Sequence, residues 1–303
     1  MKICYVILHY KNIDDTCKCI ESLKKTASGE SQFIIIDNGS NDKSGEILAQ
    51  KYLKDKRIII LEMEENMGFS KGNNAGYQYA KTQYKPDFIV ITNNDVVFYQ
   101  EEFEKNIEKI YVKTKFDVLG PDVYVPRHGD HQNPLFKTPI TIETLEKEIE
   151  EYKYYFNNPQ KFSNRLKVHA FKNMLCSKSR LINWLYASLR GKDHLDYRKE
   201  YENVGLQGSC LIFSKNFIIN EDKAFVPEPF LYEEEVFLFY RCQKEKYKMV
   251  YNPSIAIRHE EAASFNNEKR TNIEKISFML KHHIASRELL LSYLKDNVNN
   301  KDL

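Results

Sequence analysis

The sequence predicts an α/β protein with a doubly wound, mostly parallel central sheet. Three observations carry that expectation. Apolar, β-branched runs alternate with helical patterns, and four strands fit into the first 95 residues. Each run ends in a polar or glycine-rich stretch, as strands do when their carboxyl ends open onto a ligand crevice. The clearest is Ile89-Val90-Ile91-Thr92-Asn93-Asn94-Asp95, a run suited to a buried parallel strand that stops in two amides and a carboxylate. Asp95 there suits a hard divalent cation, which prefers oxygen ligands. Asn and Asp also favour turns for purely local reasons.

In order, residues 3–8 form the first strand and His9-Tyr10-Lys11-Asn12 the loop after it. Asp14 or Asp15 caps a helix to about residue 25, with Cys17, Ile20 and Leu23 on one face. Residues 33–36 form the second strand, ending in Asp37-Asn38-Gly39-Ser40-Asn41-Asp42. Gly39 permits a tight turn, and Ser40 or Asp42 caps the next helix, to about residue 53. A third strand at 57–61 precedes Asn66 to Gly76, a glycine-rich stretch leading into a helix to about residue 81. Gly68, Gly72 and Gly76 match neither GxGxxG nor a P-loop. Their spacing serves close packing of a helix start on the sheet, approach of backbone to a nucleotide, or both. After the strand at 88–92 come an acidic helix at 101–113, a strand near Val118 and a loop over 126–139.

Residues 140–200 read as an insert. An acidic helix spans 142–155, and residues 161–199 carry ten Lys or Arg against two acids, interleaved with apolar positions and Trp184. Such a basic amphipathic stretch lies on an anionic membrane or packs on the body of the protein. Gly205 to Phe213 is a glycine turn feeding a strand. The aromatic and proline stretch Phe225 to Tyr232 leads into Glu233-Glu234-Glu235 and an amphipathic helix. Strands at 247–251 and 255–257 precede His259, and a long amphipathic helix at 267–294 caps the body or dimerises.

Composition narrows the function classes. A net charge of +2 gives no electrostatic case for a nucleic-acid partner. The six cysteines form no CxxC pair and no zinc-like cluster, which favours reduced thiols and a cytoplasmic location. The apolar start is too short for a signal-peptide core, and no run reaches the roughly 18 apolar residues of a membrane span.

Acids at a helix start are favoured by the helix dipole whether or not they do chemistry. Here the run follows an aromatic wall, where a partly buried carboxylate would have a raised pKa and work as a general base. His259 closes an apolar strand, as a hydrogen-bonded structural histidine or as a metal ligand.

The ordered set of motifs is a strand followed by His9-Tyr10-Lys11, then Asp37 to Asp42, Asn66 to Asn74, Thr92 to Asp95, Gly205 to Ser209, Phe230 to Glu235 with Arg241, and Tyr251-Asn252-Pro253 with Arg258-His259. It resembles glycosyltransferase family 2, the inverting GT-A enzymes, and especially the bacterial rhamnosyl- and galactofuranosyltransferase-like branch. The resemblance covers about 1–125 and 203–264. It implies a GT-A fold, a nucleotide-sugar donor of uridine or deoxythymidine type, and a divalent metal, Mg²⁺ or Mn²⁺. By motif position, His9, Tyr10, Asp37, Asn38, Gly68, Lys71, Asn74, Asn93, Asn94, Asp95 and Gly208 line the donor site. Asp95 and His259 hold the metal, and Glu235 is the catalytic base with Glu234 beside it. The chain departs from the family pattern in having one acid in Asn93-Asn94-Asp95, Glu in place of Asp at 235, and Phe237 where an acid is usual.

The expected organisation is a nucleotide-sugar-binding half at 1–115, a catalytic and acceptor half at 116–264 with the insert, and a C-terminal helix at 265–303. The expected function is sugar transfer to a glycan acceptor, lipid-linked, in bacterial capsule or O-antigen synthesis. The protein would then act in the cytoplasm, against the inner face of the plasma membrane through 161–199, with a homodimer through the last helix. Two other readings compete. A sugar nucleotidyltransferase would want a glycine-rich basic loop after the first strand, which His9-Tyr10-Lys11-Asn12 is not. A nucleotide- or sugar-binding protein with a degraded site is consistent with the single acid at Asp95.

Overall fold

The structure is a computed structural model and describes residues 1–127, 129–167, 195–261 and 271–299, with side chains to 296. The chain divides into two compact units, one of residues 1–139 and 196–264, the other of 140–195 and 265–303.

The first unit is built on one sheet. Strands β1 (Ile3–His9), β2 (Gln32–Asp37), β3 (Ile58–Glu62) and β4 (Phe88–Asn93) run parallel in the order β3-β2-β1-β4. Helices α1 (Ile13–Thr26), α2 (Ser44–Tyr52) and α3 (Gly68–Tyr84) connect them. β1, β2 and β4 are buried almost throughout, which is why they read as continuous apolar runs rather than alternating ones. Beyond β4 the sheet continues through β9 (Cys210–Ser214), β6 (Val118–Val125), β10 (Met249–His259) and β5 (Val96–Val97). The short β7 (Asp130–His131) and β8 (Tyr201–Glu202) pair off this path with β6 and β10. β9 runs antiparallel to both neighbours, so the sheet is mixed and mostly parallel. Helices α4 (Phe103–Thr114), α6 (Lys215–Asn220) and α7 (Glu234–Glu245) complete the unit. The core joins Tyr5, Ile7, Phe33 and Val90 of the first strands to Leu119, Ile212 and Ile257 of the later ones.

Several elements differ from expectation for identifiable reasons. Asn12, not Asp14 or Asp15, caps α1: its side chain accepts from the Asp15 N–H, and both acids fall in the first turn. Of the two expected caps for α2, Asp42 reaches the helix start and accepts from the Ser44 N–H at 3.0 Å, while the Ser40 hydroxyl turns back to Asp37. The glycine-rich stretch is helical from Gly68 onward. A Cβ at Gly72 or Gly76 would lie 2.6 Å from Leu8 Cδ1 or 2.4 Å from Val6 Cγ1, so these glycines seat α3 on the sheet. The two expected strands over 247–257 are one strand, β10, interrupted by an irregularity between Tyr251 and Ala256. The expected loop over 126–139 contains β7.

In the second unit, α5 (Ile142–Asn157) and α8 (Asn272–Asn299) run antiparallel, as ion pairs of Glu146 with Lys295, Lys153 with Glu288 and Asn272 beside Ser163 require. Arg287 stacks over Tyr152 at 4.4 Å, and Phe162, Ile276 and Leu280 form the apolar centre. Of the basic stretch 161–199, Arg165 is engaged by Glu151 and Tyr155. Most of that stretch, 168–194, lies outside the described residues. No helix among the described residues is long and apolar enough to cross a membrane.

Gly68 opens α3 at φ +78°, and a Cβ there would lie 2.3 Å from the Phe230 carbonyl oxygen. Gly68→Ala is therefore expected to destabilise the fold. The left-handed backbone alone costs an L-residue about 1–2 kcal/mol, and displacement of the Phe230 backbone adds to it. Urea unfolding should show a lower midpoint at an unchanged slope; an unchanged midpoint would mean that the turn relaxes freely.

Candidate active site

The carboxyl ends of β1, β2 and β4 are tied to one another by a few small polar side chains. His9, fully buried at the end of β1, hydrogen-bonds through Nδ1 to Thr16 Oγ1 at 2.7 Å and through Nε2 to Ser44 Oγ at 2.8 Å. Burial lowers its pKa from the ordinary 6.5, against the opposing pull of Asp37 and Asp42. With both ring nitrogens engaged inside the protein, His9 shapes the crevice rather than facing it. Thr16 Oγ1 also accepts from Asn94 Nδ2 at 2.9 Å, so one hydroxyl on α1 holds both His9 and Asn94. Ser40 plays the same part between the next two loops. Its hydroxyl accepts from the Lys11 N–H at 3.0 Å and donates to Asp37 Oδ1. Tyr10 is half-buried under the Lys11 ammonium, 4.8 Å from the ring centre.

Two asparagines clamp the start of α3 and the aromatic stretch opposite it. Asn38 donates to Gly68 O and Asn66 Oδ1, each at 3.1 Å, and accepts from the Met67 N–H at 3.0 Å. Asn74 donates to Phe225 O at 2.8 Å and Glu228 Oε1 at 3.0 Å, and accepts from the Phe225 N–H at 3.0 Å. Both amides are fully engaged by protein groups, so Asn38 and Asn74 act on a ligand by fixing the 66–74 and 225–230 segments. Lys71, in the first turn of α3, is exposed.

Asp95 follows β4 after one residue, Asn94, and β5 then pairs antiparallel with β10, placing Val96 opposite His259. That register brings Asp95 Oδ1 within 3.3 Å of His259 Nε2, with both side chains largely shielded from solvent. His259 Nδ1 lies 2.9 Å from Gln132 Oε1, and Gln132 Nε2 donates to Glu261 Oε1 at 2.6 Å. A carboxylate oxygen and an imidazole nitrogen side by side at strand ends are a donor set that fits a divalent cation. Among the described residues no third His, Cys, Asp or Glu joins them. The remaining positions would fall to water and to oxygens of a bound diphosphate, as is usual for Mg²⁺.

The carboxylates at the start of α7 are reached by another route. Because β9 is antiparallel, the turn before it, Gln207-Gly208-Ser209, lies at the carboxyl end of β4. Ser209 O accepts from the Asn93 N–H at 2.9 Å and from Thr92 Oγ1 at 3.0 Å. The next N–H back along that turn, from Gly208, donates to Glu235 Oε1 at 3.1 Å. A Cβ at Gly208 would lie 3.0 Å from that oxygen, so glycine leaves the carboxylate room. Burial raises the pKa of Glu235, partly offset by the backbone hydrogen bonds including that of Gly208. Glu234 is raised well above its ordinary value by burial and by the charge of Glu235, and its Oε2 meets no hydrogen-bond partner. The chain enters α7 through Tyr232 and Glu233, two consecutive residues at φ +69° and +65°. Backbone held so far from its common range clusters at functional sites. Arg241, also on α7, is turned away and ties down the 221–224 segment through Lys223 O, Ala224 O and Glu221.

The residues that sequence reasoning missed are the connectors. Gln132 touches His259, and Asn133 accepts from the Gln207 N–H at 3.2 Å, so two adjacent side chains of the 126–139 loop support the two halves of the site. Thr16 completes the set, and Ser40 and Ser209 lie in motifs the sequence marked without giving them this connecting role. The polar content of the 126–139 loop was the only sequence signal for Gln132 and Asn133.

Glu234 gives a pH-dependent prediction. Its folded pKa is raised, so its favourable contribution is full below the ordinary value of 4.5 and is lost as pH rises toward and through the folded value. Glu234→Gln should therefore raise the melting temperature more at neutral pH than near pH 4.5. An equal shift at both pH values would show that Glu234 is not held protonated by its surroundings.

Comparison with known proteins agrees with this architecture. A family model described as Glycosyl transferase family 2 matches residues 4–182. The glycosyltransferase GlyG of Streptococcus pneumoniae serotype 4 is 26% identical over 65% of this chain and 73% of its own length. Two further curated relatives are spanned to 61% and 47% of their length. Among solved structures, residues 1–349 of S. aureus TarS in complex with UDP-GlcNAc superpose with a TM-score of 0.54 at 13% identity, covering 96% of this chain and 70% of that one. GalNAc-T7 with UDP, GalNAc and Mn²⁺ gives 0.56 at 13% identity, over 86% and 44%. At these identities the structural likeness establishes the GT-A fold, and the family match covers more than half of the chain. This protein belongs to glycosyltransferase family 2.

Proposed function

We propose that the protein transfers a sugar from a nucleoside-diphosphate sugar to a hydroxyl group of a glycan acceptor, with inversion at the anomeric carbon. The observation that carries this reading is the placement of Glu235. Its carboxylate is half-buried, raised in pKa, anchored by the Gly208 N–H, and joined through the Ser209 carbonyl to the strand end that bears Asn93, Asn94 and Asp95. Family membership sets aside the nucleotidyltransferase alternative.

In the proposed step Glu235 removes the proton of the acceptor hydroxyl as its oxygen bonds to the anomeric carbon. The bond from that carbon to the diphosphate breaks on the opposite face, and the leaving nucleoside diphosphate keeps the electron pair. Charge builds at the anomeric carbon in an oxocarbenium-like transition state, as in related glycosyl chemistry. Asp95 and His259 would hold a divalent cation, whose contribution is to offset negative charge on the diphosphate. Thr16 and Ser40 keep the β1 and β2 loops in register around the donor, and Asn38 and Asn74 hold the segments that flank it.

UDP-GlcNAc is bound in the TarS complex and UDP in the GalNAc-T7 complex, which supports a uridine donor; deoxythymidine is the other nucleotide the sequence resemblance implies. Within this reading the acceptor is a lipid-linked glycan in surface polysaccharide synthesis, met at the cytoplasmic face of the membrane with 161–199 as the contacting segment.

Glu235→Gln is expected to lower transfer about 10²–10⁴-fold, the usual contribution of a positioned base, while leaving UDP affinity unchanged in a calorimetric titration. Full transfer by that variant would remove Glu235 from the role. Because Glu235 must be ionised to accept a proton, the wild-type rate should climb with pH along a limb displaced above the ordinary 4.5. Asp95→Ala should abolish any Mn²⁺-dependent gain in UDP binding; if neither wild type nor variant shows such a gain, metal use and the transferase reading of Asp95 fall together, and a degraded binding site takes their place.

A further inference from the structure

We propose that Gln132 and Glu261 form a hydrogen-bond relay that fixes the tautomer of His259 and thereby sets the affinity of the Asp95–His259 pair for a divalent cation. The inference rests on the metal site of the preceding section and adds two residues to it that neither the sequence motifs nor the family pattern supply.

Which groups can donate a proton decides the direction of each link. The Glu261 carboxylate is an acceptor only. The Gln132 terminus 2.6 Å from it must therefore be the amide NH₂, and the other terminus must be the carbonyl oxygen. That oxygen is itself only an acceptor, and His259 Nδ1 stands 2.9 Å from it. Nδ1 must then carry the proton. In a neutral imidazole the proton has no second place, so Nε2 is left with its lone pair. Nε2 is the atom that faces Asp95 Oδ1 at 3.3 Å. Two electron-pair donors turned toward each other repel unless a cation or a proton lies between them. The relay thus presents both lone pairs to one point and holds the ring there.

Reversing any link would reverse the outcome. Were Nδ1 the lone-pair nitrogen, Nε2–H would donate to Asp95, and the pair would satisfy itself as an ordinary hydrogen bond. The outer hydrogen bond is therefore what separates a ligand pair from a closed structural pair. Outer partners of metal-bound histidines typically account for 10–100-fold in metal affinity. The relay spans 127 residues between Gln132 and His259, and it depends on β7 and the segment after it crossing toward the end of β10.

The test uses the full chain and two readouts other than turnover. The first is the ¹⁵N spectrum of the imidazoles in metal-free protein, above the range where histidine is charged, with the His259 signals identified by their loss in His259→Ala. Wild type should show His259 protonated at Nδ1, and Gln132→Leu should shift it toward protonation at Nε2. The second is Mn²⁺ binding with saturating UDP, followed by the electron paramagnetic resonance of free Mn²⁺. His259→Ala should lose binding, and Gln132→Leu should weaken it about 10–100-fold. Glu261→Gln alone frees the amide to reverse and should give a mixed tautomer. The double variant Gln132→Glu with Glu261→Gln restores an acceptor at Nδ1 and should recover both the tautomer and the affinity. If Gln132→Leu keeps the Nδ1 tautomer and wild-type Mn²⁺ affinity while His259→Ala loses the metal, the relay is overturned and the metal site stands. If wild type and His259→Ala bind Mn²⁺ alike, the metal site itself fails and takes the relay with it.

Discussion

The antiparallel insertion of β9 between β4 and β6 is the constraint on which the site depends. The parallel strands β1, β2, β4, β6 and β10 all point their carboxyl ends to one edge, and loops leaving those ends would face the crevice in any such sheet. An antiparallel strand contributes its beginning to that edge instead. Gly208 and Ser209 therefore arrive beside Asn93, and a single carbonyl, Ser209 O, joins the donor-side strand end to the turn that holds Glu235. This reversal gives the carboxylates of α7 a short hydrogen-bonded path to the Asn93-Asn94-Asp95 segment.

The crevice combines groups that are individually unfavourable. Two adjacent carboxylates lie where burial opposes their ionisation, one oxygen has no partner, and the chain enters the helix through two left-handed residues. Each such feature raises the energy of the folded state, and they persist because the surroundings are over-determined. Phe237, Leu238 and Cys242 bury the inner face of α7, and Arg241 pins the preceding segment through two carbonyls and a carboxylate. The aromatic contact of Phe69 with Phe225 and the hydrogen bond from the Phe69 N–H to Phe230 O hold the segment from the other side.

What the sequence revealed and what it concealed divide along a physical line. Strands β1 to β4 were legible because a buried parallel strand is a continuous apolar run, and their polar ends were legible because the composition changes abruptly. Asp95 and the run Glu233-Glu234-Glu235 stood out for the same local reason, while Glu235 itself was singled out by the family resemblance. Asn38 falls in a loop as expected and His9 closes β1 instead of opening the loop, but which way each side chain is engaged depends on Thr16, Ser44 and the Met67–Gly68 backbone, and no local pattern encodes such partners. For the Gly68 segment the sequence left open packing on the sheet, approach to a nucleotide, or both; the helix begins at Gly68 itself, where close packing against Val6 and Leu8 outweighs the low helix propensity of glycine. Gln132 and Asn133 were invisible: their partners are 127 and 74 residues away, and a Gln or Asn in a polar loop is ordinary.

The bond from Thr92 Oγ1 to Ser209 O closes a span of 117 residues, and this has a consequence for biosynthesis. Chains fold from the N-terminus as they are made, and contacts of long sequence separation form last. The β1–β4 layer has all its strands once residue 93 has emerged, yet the turn that anchors Glu235 has nothing to pair with Asn93 until β9 is available. During that interval the nascent chain exposes the edge of β4 that β9 later covers, an open strand able to pair with another chain. Order of synthesis thus leaves an edge in what becomes the middle of the sheet open to mispairing while the polypeptide is still incomplete.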